Sequence, residues 1–340
     1  MTEADDGATR VAVLGTGSWG TTFAAVLADA GARVTVWGRS PQVRDQINRS
    51  HRNERYLPGI ELPAAITATT DLRAALAGAH LVAVAIPSQV VRTALAGAGD
   101  ALQPGAVVVS LMKGVELGTH ERMSQVLAEV LAVPDSQVAV VSGPNLAREI
   151  AVHQPTATVV ASVDEHTAER VAHACATSYF RPYTNTDVVG VELGGAVKNV
   201  IALAVGMAQG AGFGDNTTAT IITRGLAETT RLGLALGAQP ETFAGLAGMG
   251  DLVATCASPL SRNNTLGRHV GEGMTLTEAV TATGGTAEGV KSCRAVLELA
   301  DLHGVDMPIT QAVAAVLYDE LPVATMTEAL LARPRKAEGT

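Results

Sequence analysis

Aromatic residues make up only 3% of this 340-residue chain. A core short of rings must be filled by Ala, Val, Leu and Ile, with Gly and Ala letting helices pack closely. Cysteine is equally scarce: Cys175, Cys256 and Cys293 lie far apart and form no C-x-x-C pair. That argues against a disulfide framework or a cysteine-built zinc site, and it fits reduced thiols in a cytoplasmic compartment. The eight histidines make no H-x-H or H-E-x-x-H pattern, so no metal site is expected. Positive charge is in deficit as well. A formal net charge of −9 disfavours nucleic acid or an anionic membrane as partner. Residues 1–10 are acidic and polar and lack the apolar stretch of a secretory signal. No uncharged apolar run has the length of a membrane span. The longest candidate, residues 199–214, is short and interrupted by Gln209 and several glycines.

What is present in quantity is aliphatic. Hydrophobic residues reach 47% against 17% charged, enough for a large core and incompatible with wholesale disorder. The length suits two domains, and no internal repeat is evident. In the first half, apolar runs at residues 11–14, 34–37, 66–70, 80–86, 107–111 and 138–141 alternate with helical stretches. That alternation is the pattern of a parallel sheet covered on both faces. Residues 156–162 and 179–183 read as further, antiparallel strands. From about Val188 the chain turns Ala/Gly/Leu-rich with helical periodicity, over residues 191–207, 217–236, 288–303 and 309–318. The expected fold is therefore α/β, with an N-terminal Rossmann-type doubly wound parallel sheet (1–190) and an all-helical C-terminal domain (191–340). The tail at residues 333–338 reads as frayed.

Gly15-Thr16-Gly17-Ser18-Trp19-Gly20 stands directly behind the first apolar run and opens a helix. Strand, glycines, helix and second strand within about 30 residues form the dinucleotide-binding fingerprint. Gly15 permits the turn, Gly17 lets backbone approach a pyrophosphate, and Gly20 lets helix and strand pack closely. Gly31 offers the helix its C-cap. An NAD-specific site usually places a carboxylate about 20 residues beyond the glycines. Here Gly38-Arg39-Ser40 stands there instead, and a guanidinium with a hydroxyl suits the 2′-phosphate of NADP(H), with NAD(H) tolerated. The other reading of Arg39 is a solvated surface residue.

Strand ends of such sheets collect ligands, which draws attention to Pro87-Ser88, Lys113 and Gly143-Pro144-Asn145. In the second half, Lys198 is a lone cation on an otherwise apolar helix, in Glu192-Leu193-Gly194-Gly195-Ala196-Val197-Lys198-Asn199. A buried lysine can have its charged form disfavoured and exchange a proton near neutrality. Gly194 and Gly195 would clear space for a ligand beside it. Alternatively the amine snorkels to the surface or pairs with Glu192. Ser261-Arg262-Asn263-Asn264 precedes a helix and could clamp a phosphate or be an ordinary polar loop. Asp251 could orient Lys198, bind a substrate hydroxyl or cap a helix, and Glu288 has the same ambiguity.

Taken together, these motifs resemble the bacterial NAD(P)-dependent glycerol-3-phosphate dehydrogenase family over nearly the whole chain. The resemblance rests on Gly15 to Thr21, Tyr56-Leu57-Pro58, Lys113-Gly114, Ser142-Gly143-Pro144 and the Lys198 helix. It continues through Gly248-Met249-Gly250-Asp251-Leu252 with Thr255, Ser261-Arg262-Asn263 and Glu288-Gly289. It implies reversible reduction of dihydroxyacetone phosphate to sn-glycerol 3-phosphate for phospholipid synthesis, by a cytoplasmic homodimer. Lys198 would be the proton donor and acceptor. Lys113, Gly143, Asn145, Asp251, Ser261, Arg262 and Asn263 would touch substrate. Ser18, Trp19, Arg39, Tyr56, Lys113, Ala147, Arg262 and Glu288 would touch the cofactor. Hydride transfer in a cleft between the domains would be helped by domain closure. Two positions depart from the family pattern. Asn145 stands where Ser or Thr is usual, its amide still able to donate to a phosphate, and Met112 replaces a smaller residue before Lys113. The rivals are another β-hydroxyacid or ketopantoate-type dehydrogenase, which would not be expected to carry the Ser-Arg-Asn clamp, and a non-catalytic dinucleotide sensor, which would need neither the clamp nor Lys198.

Overall fold

The computed structural model describes residues 8–284 and 287–332, so the expected frayed tail, most of the acidic start and Thr286 lie outside the described residues. The chain divides into two compact units. One comprises the residues up to Glu116 together with Glu121–Glu192, the other Leu117–His120 together with the residues from Leu193 onward.

Among its described residues the first unit contains ten strands: β1 (Arg10–Leu14), β2 (Arg33–Trp37), β3 (Arg52–Asn53), β4 (Leu57–Glu61), β5 (Ile66–Thr69), β6 (Leu81–Val84), β7 (Val107–Ser110), β8 (Val138–Ser142), β9 (Thr156–Ala161) and β10 (Phe180–Asn185). Eight of them form one sheet in the order β10-β9-β8-β7-β6-β1-β2-β5, and β3 pairs with β4 separately. From β5 to β8 every pairing is parallel. The strand order reverses at β1 and β6, as in the doubly wound dinucleotide-binding sheet. β9 runs antiparallel to β8, and β10 runs parallel to β9. Both therefore oppose the rest of the sheet, as their sequences suggested.

Burial explains why these strands read as unbroken apolar runs. Val11 and Val13 of β1 face one core cluster while Ala12 and Leu14 face another on the opposite side. The β3–β4 pair left no such trace: β3 is two residues long, and Pro58 and Gly59 in β4 are poor strand formers. Buried Leu57 anchors the pair.

The helix Val188–Gly210 begins in the first unit and continues into the second, where the remaining helices follow. It is long and apolar enough to cross a membrane by length and composition, a length it reaches by taking in Glu192 and Lys198. Yet 94% of the stretch is buried inside the protein, so its apolarity is that of a core helix. Close packing in the second unit depends on glycine. A Cβ at Gly206 or Gly210 would stand 2.1 Å from the carbonyl oxygen of Asn264 or Arg268. Reciprocally, a Cβ at Gly267 or Gly271 would stand 2.3 or 2.2 Å from the carbonyl of Leu203 or Met207. The helices Val188–Gly210 and Arg262–Gly271 thus cross backbone to backbone, which fixes Arg262 relative to Lys198.

Glu228, 1% exposed on the helix Asp215–Ala235, holds the start of the helix Pro308–Tyr318. Its carboxylate accepts from the backbone N–H of Ile309 at 2.6 Å and of Thr310 at 3.3 Å. Burial pushes its pKa up from 4.5 to about 7. The folded state therefore binds this proton more tightly than the unfolded chain does. The resulting stabilisation, on the order of 3 kcal/mol, is complete below pH ~4.5 and lost as pH rises through about 7. Glu228→Gln should flatten the fall in stability between pH 5 and 8 measured by thermal melting; parallel pH profiles for the two proteins would count against this role.

Candidate active site

The glycine loop follows β1. Gly15 has φ 131°, and a Cβ there would stand 2.5 Å from the Ala85 carbonyl oxygen, so only glycine fits. A Cβ on Gly20 would meet the Gly15 carbonyl at 2.3 Å, whereas one on Gly17 would meet nothing within 4 Å. Gly17 is also the N-cap of the helix Ser18–Asp29, with no side chain among the described residues accepting from the first-turn N–H groups and no acidic residue in that turn. Unclaimed donors, open space and no repelling carboxylate fit a dinucleotide's pyrophosphate.

Around the loop, Ser18 Oγ donates to the Tyr56 carbonyl at 2.5 Å. The Trp19 ring turns inward, 5.5 Å from Phe23 and 6.5 Å from Phe180, and its indole N–H is buried without a partner among the described residues. Arg39 is exposed just past β2. Gly38 before it lies so close to the loop that a Cβ would stand 2.4 Å from Thr16 Cγ2. The Ser40 hydroxyl caps the next helix, accepting from Val43 N–H at 3.3 Å, which leaves Arg39 as the 2′-phosphate candidate. The Ala147 carbonyl, at the start of the helix Ala147–Ala151, accepts from Thr22 Oγ1 at 3.2 Å.

At the carboxyl ends of β7 and β8 the structure brings Lys113, Gly143 and Asn145 together. Lys113 Nζ donates to the Gly143 carbonyl at 3.1 Å, and Asn145 N–H donates to the same oxygen at 2.7 Å. Thr158 Oγ1 gives its proton to the Ser142 carbonyl and therefore accepts from Asn145 Nδ2 at 3.0 Å. One of the two protons of the amide expected to reach a phosphate is thus engaged, and Oδ1 is left buried without a partner among the described residues. Met112 is absorbed into the core beneath Lys113.

In the second unit Lys198 is 7% exposed and neither snorkels nor pairs with Glu192. Its ammonium donates to the carboxylate of Asp251, 1% exposed, and to Thr255 Oγ1 at 2.7 Å. Glu192 is engaged elsewhere in the first unit, with Arg122 Nη1 at 2.5 Å and the Ser124 hydroxyl at 2.6 Å. Burying an ammonium without a counter-charge costs several kcal/mol, so Asp251 is the reason that Lys198 can sit there. Gly194 does not open space for a ligand: a Cβ there would stand 2.6 Å from the Ala247 carbonyl, so it admits the helical turn that leads into Asp251. Adjacent Cys256 is kept protonated, its thiol pushed up to about 12 by burial.

Ser261 caps the helix Arg262–Gly271, its hydroxyl accepting from Asn264 N–H at 3.2 Å. Exposed Arg262 is the helix's first residue. Asn263 is a bracket: Nδ2 donates to Asn199 Oδ1 at 3.0 Å, and Oδ1 accepts from Gly289 N–H at 2.9 Å. Because Asn199 follows Lys198 and Gly289 follows Glu288, one amide ties three candidate residues into a fixed array. The side chain of Asn263 is consequently engaged, leaving the Arg262 guanidinium and the helix N-terminus for an anion. Sequence reasoning missed the tertiary roles of Asn53, Arg122, Thr158 and Asn199. Only Asn199, adjacent to Lys198, carried a local signal.

Among the described residues no group of three or more His, Cys, Asp or Glu could hold a metal ion. The cysteines are free and buried. A cavity of about 280 Å³ in the first unit, lined by Thr22, Asp29, Leu62, His153 and Tyr179 among others, includes none of the candidate residues.

Comparison with known proteins matches both halves of the chain. Residues 10–168 match the NAD-dependent glycerol-3-phosphate dehydrogenase N-terminus and residues 187–328 the C-terminus. Glycerol-3-phosphate dehydrogenase [NAD(P)+] of Thermobifida fusca is 62% identical over 97% of this chain and 98% of its own length. That of Streptomyces griseus is 61% identical over the same shares. The crystal structure of glycerol-3-phosphate dehydrogenase from Coxiella burnetii, 36% identical, superposes with a TM-score of 0.91 over 96% of this chain and 99% of that one. A ketopantoate reductase from Ralstonia eutropha, at 18% identity and a TM-score of 0.58, shares the fold alone. The chain belongs to the NAD-dependent glycerol-3-phosphate dehydrogenase family.

Proposed function

We propose that this protein reduces dihydroxyacetone phosphate reversibly to sn-glycerol 3-phosphate, favouring NADPH and accepting NADH. The observation that carries the mechanism is the buried Lys198–Asp251–Thr255 group. When bound, the dinucleotide supplies the hydride to the ketone carbon. Lys198 stabilises the charge that builds on the ketone oxygen and gives it a proton, a contribution of ~10²–10⁴-fold. In the reverse direction the amine takes that proton back. Asp251 and Thr255 hold the amine in one place, so little reorganisation is needed at the moment of transfer.

Arg262 and the N-terminus of its helix hold the phosphate, and this remote binding energy positions the carbonyl. Ser261 caps that helix and Asn263 braces it; both support the clamp. Lys113, Gly143 and Asn145 complete the substrate contacts. Gly15, Gly17, Ser18, Trp19 and Gly20 receive the dinucleotide through backbone, with Tyr56, Lys113, Ala147, Arg262 and Glu288 as further contacts. We assign cofactor binding mainly to residues 1–190 and catalysis to 191–340, in a cytoplasmic homodimer serving phospholipid synthesis.

Arg39, which follows Gly38 at the glycine loop in a Gly38-Arg39-Ser40 segment without a carboxylate, is the basis for the NADPH preference. Steady-state kinetics with dihydroxyacetone phosphate should give NADPH a kcat/KM at least equal to that of NADH. Arg39→Ala should lower the NADPH value by about tenfold and barely move NADH, as expected for loss of a guanidinium–phosphate pair. A large NADH preference in the unaltered protein would refute the assignment.

A further inference from the structure

Asn53 belongs to none of the motifs that the sequence singles out, yet it is 0% exposed and lies against the glycine loop. Its Nδ2 donates both protons, to the Thr16 carbonyl and to Thr21 Oγ1, each at 2.8 Å. Thr21 Oγ1 gives its own proton to the Thr16 carbonyl at 3.1 Å, so it faces Asn53 as an acceptor. The amide can adopt only one orientation. Its oxygen is consequently buried with no partner among the described residues, an unfavourable arrangement that the fold keeps.

What that arrangement secures is a peptide plane. Thr16 is the middle residue of Gly15-Thr16-Gly17, and two donors converge on its carbonyl. Because the peptide is planar and trans, pinning that carbonyl turns the Gly17 N–H the opposite way, away from Asn53. A second hydrogen bond, from Ser18 Oγ to the Tyr56 carbonyl at 2.5 Å, holds the segment carrying β3 and β4 to the same loop. We propose that Asn53 is a positioning residue for the dinucleotide, fixing the Thr16–Gly17 peptide so that the Gly17 N–H is presented to the pyrophosphate. It acts through the loop and not on the substrate. The inference rests on the dinucleotide reading of that loop.

The test is calorimetric titration of the whole protein with NADPH, combined with steady-state kinetics. Asn53→Leu keeps the volume close, deletes both donors and removes the unpaired oxygen. A purely structural role would leave NADPH affinity unmoved. The positioning role predicts NADPH bound about tenfold more weakly, the effect of losing one charge-assisted hydrogen bond. The KM for dihydroxyacetone phosphate at saturating NADPH, and kcat, should stay within about twofold. Thr21→Val, isosteric and less disruptive, should weaken NADPH binding about threefold in the same direction, and it decides the matter if Asn53→Leu does not fold. Unchanged NADPH affinity in the folded variants, or an equal rise in both Michaelis constants, overturns the proposal. Failure of the unaltered protein to bind NADPH would remove the dinucleotide reading itself, and this inference with it.

Discussion

Lys198→Ala should lower turnover by about 10²–10⁴-fold or more, to the limit of detection, while NADPH still binds nearly as before. The expectation follows from position. Lys198 is buried, and the residues holding it, Asp251 and Thr255, are a carboxylate and a hydroxyl on the helix Asp251–Ala257. Removing the amine alone leaves a carboxylate buried without its cation, which destabilises by roughly 3–5 kcal/mol. A loss of activity could then be mistaken for a loss of fold. The double variant Lys198→Met with Asp251→Asn separates the two, because it removes both charges at similar volume. It should recover most of the thermal stability and none of the activity. Turnover retained in either variant would remove Lys198 from the chemistry.

Arg262→Ala should raise the KM for dihydroxyacetone phosphate by about 100-fold with little change in melting temperature. Hydrogen bonds to a charged partner contribute ~1.5–3 kcal/mol each, so losing a guanidinium from a phosphate costs one to two powers of ten or more. Arg262 is exposed, and its helix is braced by Ser261 and Asn263 and not by its own side chain. The fold therefore has no stake in it. The same variant should narrow the preference for dihydroxyacetone phosphate over unphosphorylated dihydroxyacetone, because the discriminating contact is gone. Lysine is a poor substitute if the contact is bidentate, and Arg262→Lys should recover only part of the affinity. An unchanged KM in Arg262→Ala would place the phosphate elsewhere.

The parts of the fold legible in the sequence were those with a one-dimensional signature. Strands such as β7 and β8 are buried on both faces and so read as unbroken apolar runs. The helix Val188–Gly210 is visible through its periodicity, although it extends about a turn beyond residues 191–207 at each end, where Gly190, Gln209 and Gly210 interrupt the apolar pattern. What stayed hidden was tertiary partner choice. Nothing local says that Lys198 takes Asp251, 53 residues away, while nearby Glu192 takes Arg122. Nothing in Gly194 distinguishes room for a ligand from room for the Ala247 carbonyl. Asn263 stood out as part of a clamp, and only its two hydrogen bonds reveal a brace. Asn53 left no trace because a two-residue strand has no periodicity to read.

The central claim is that the buried lysine and the Arg262 helix serve reduction of a phosphorylated ketone. NADPH oxidation by the unaltered protein, followed with dihydroxyacetone phosphate, dihydroxyacetone and ketopantoate in parallel, tests it most directly. Rapid oxidation is expected with dihydroxyacetone phosphate, with kcat/KM lower by about 10³-fold or more for the unphosphorylated ketone and no turnover of ketopantoate. Comparable rates with and without the phosphate, or a preference for ketopantoate, would contradict the account.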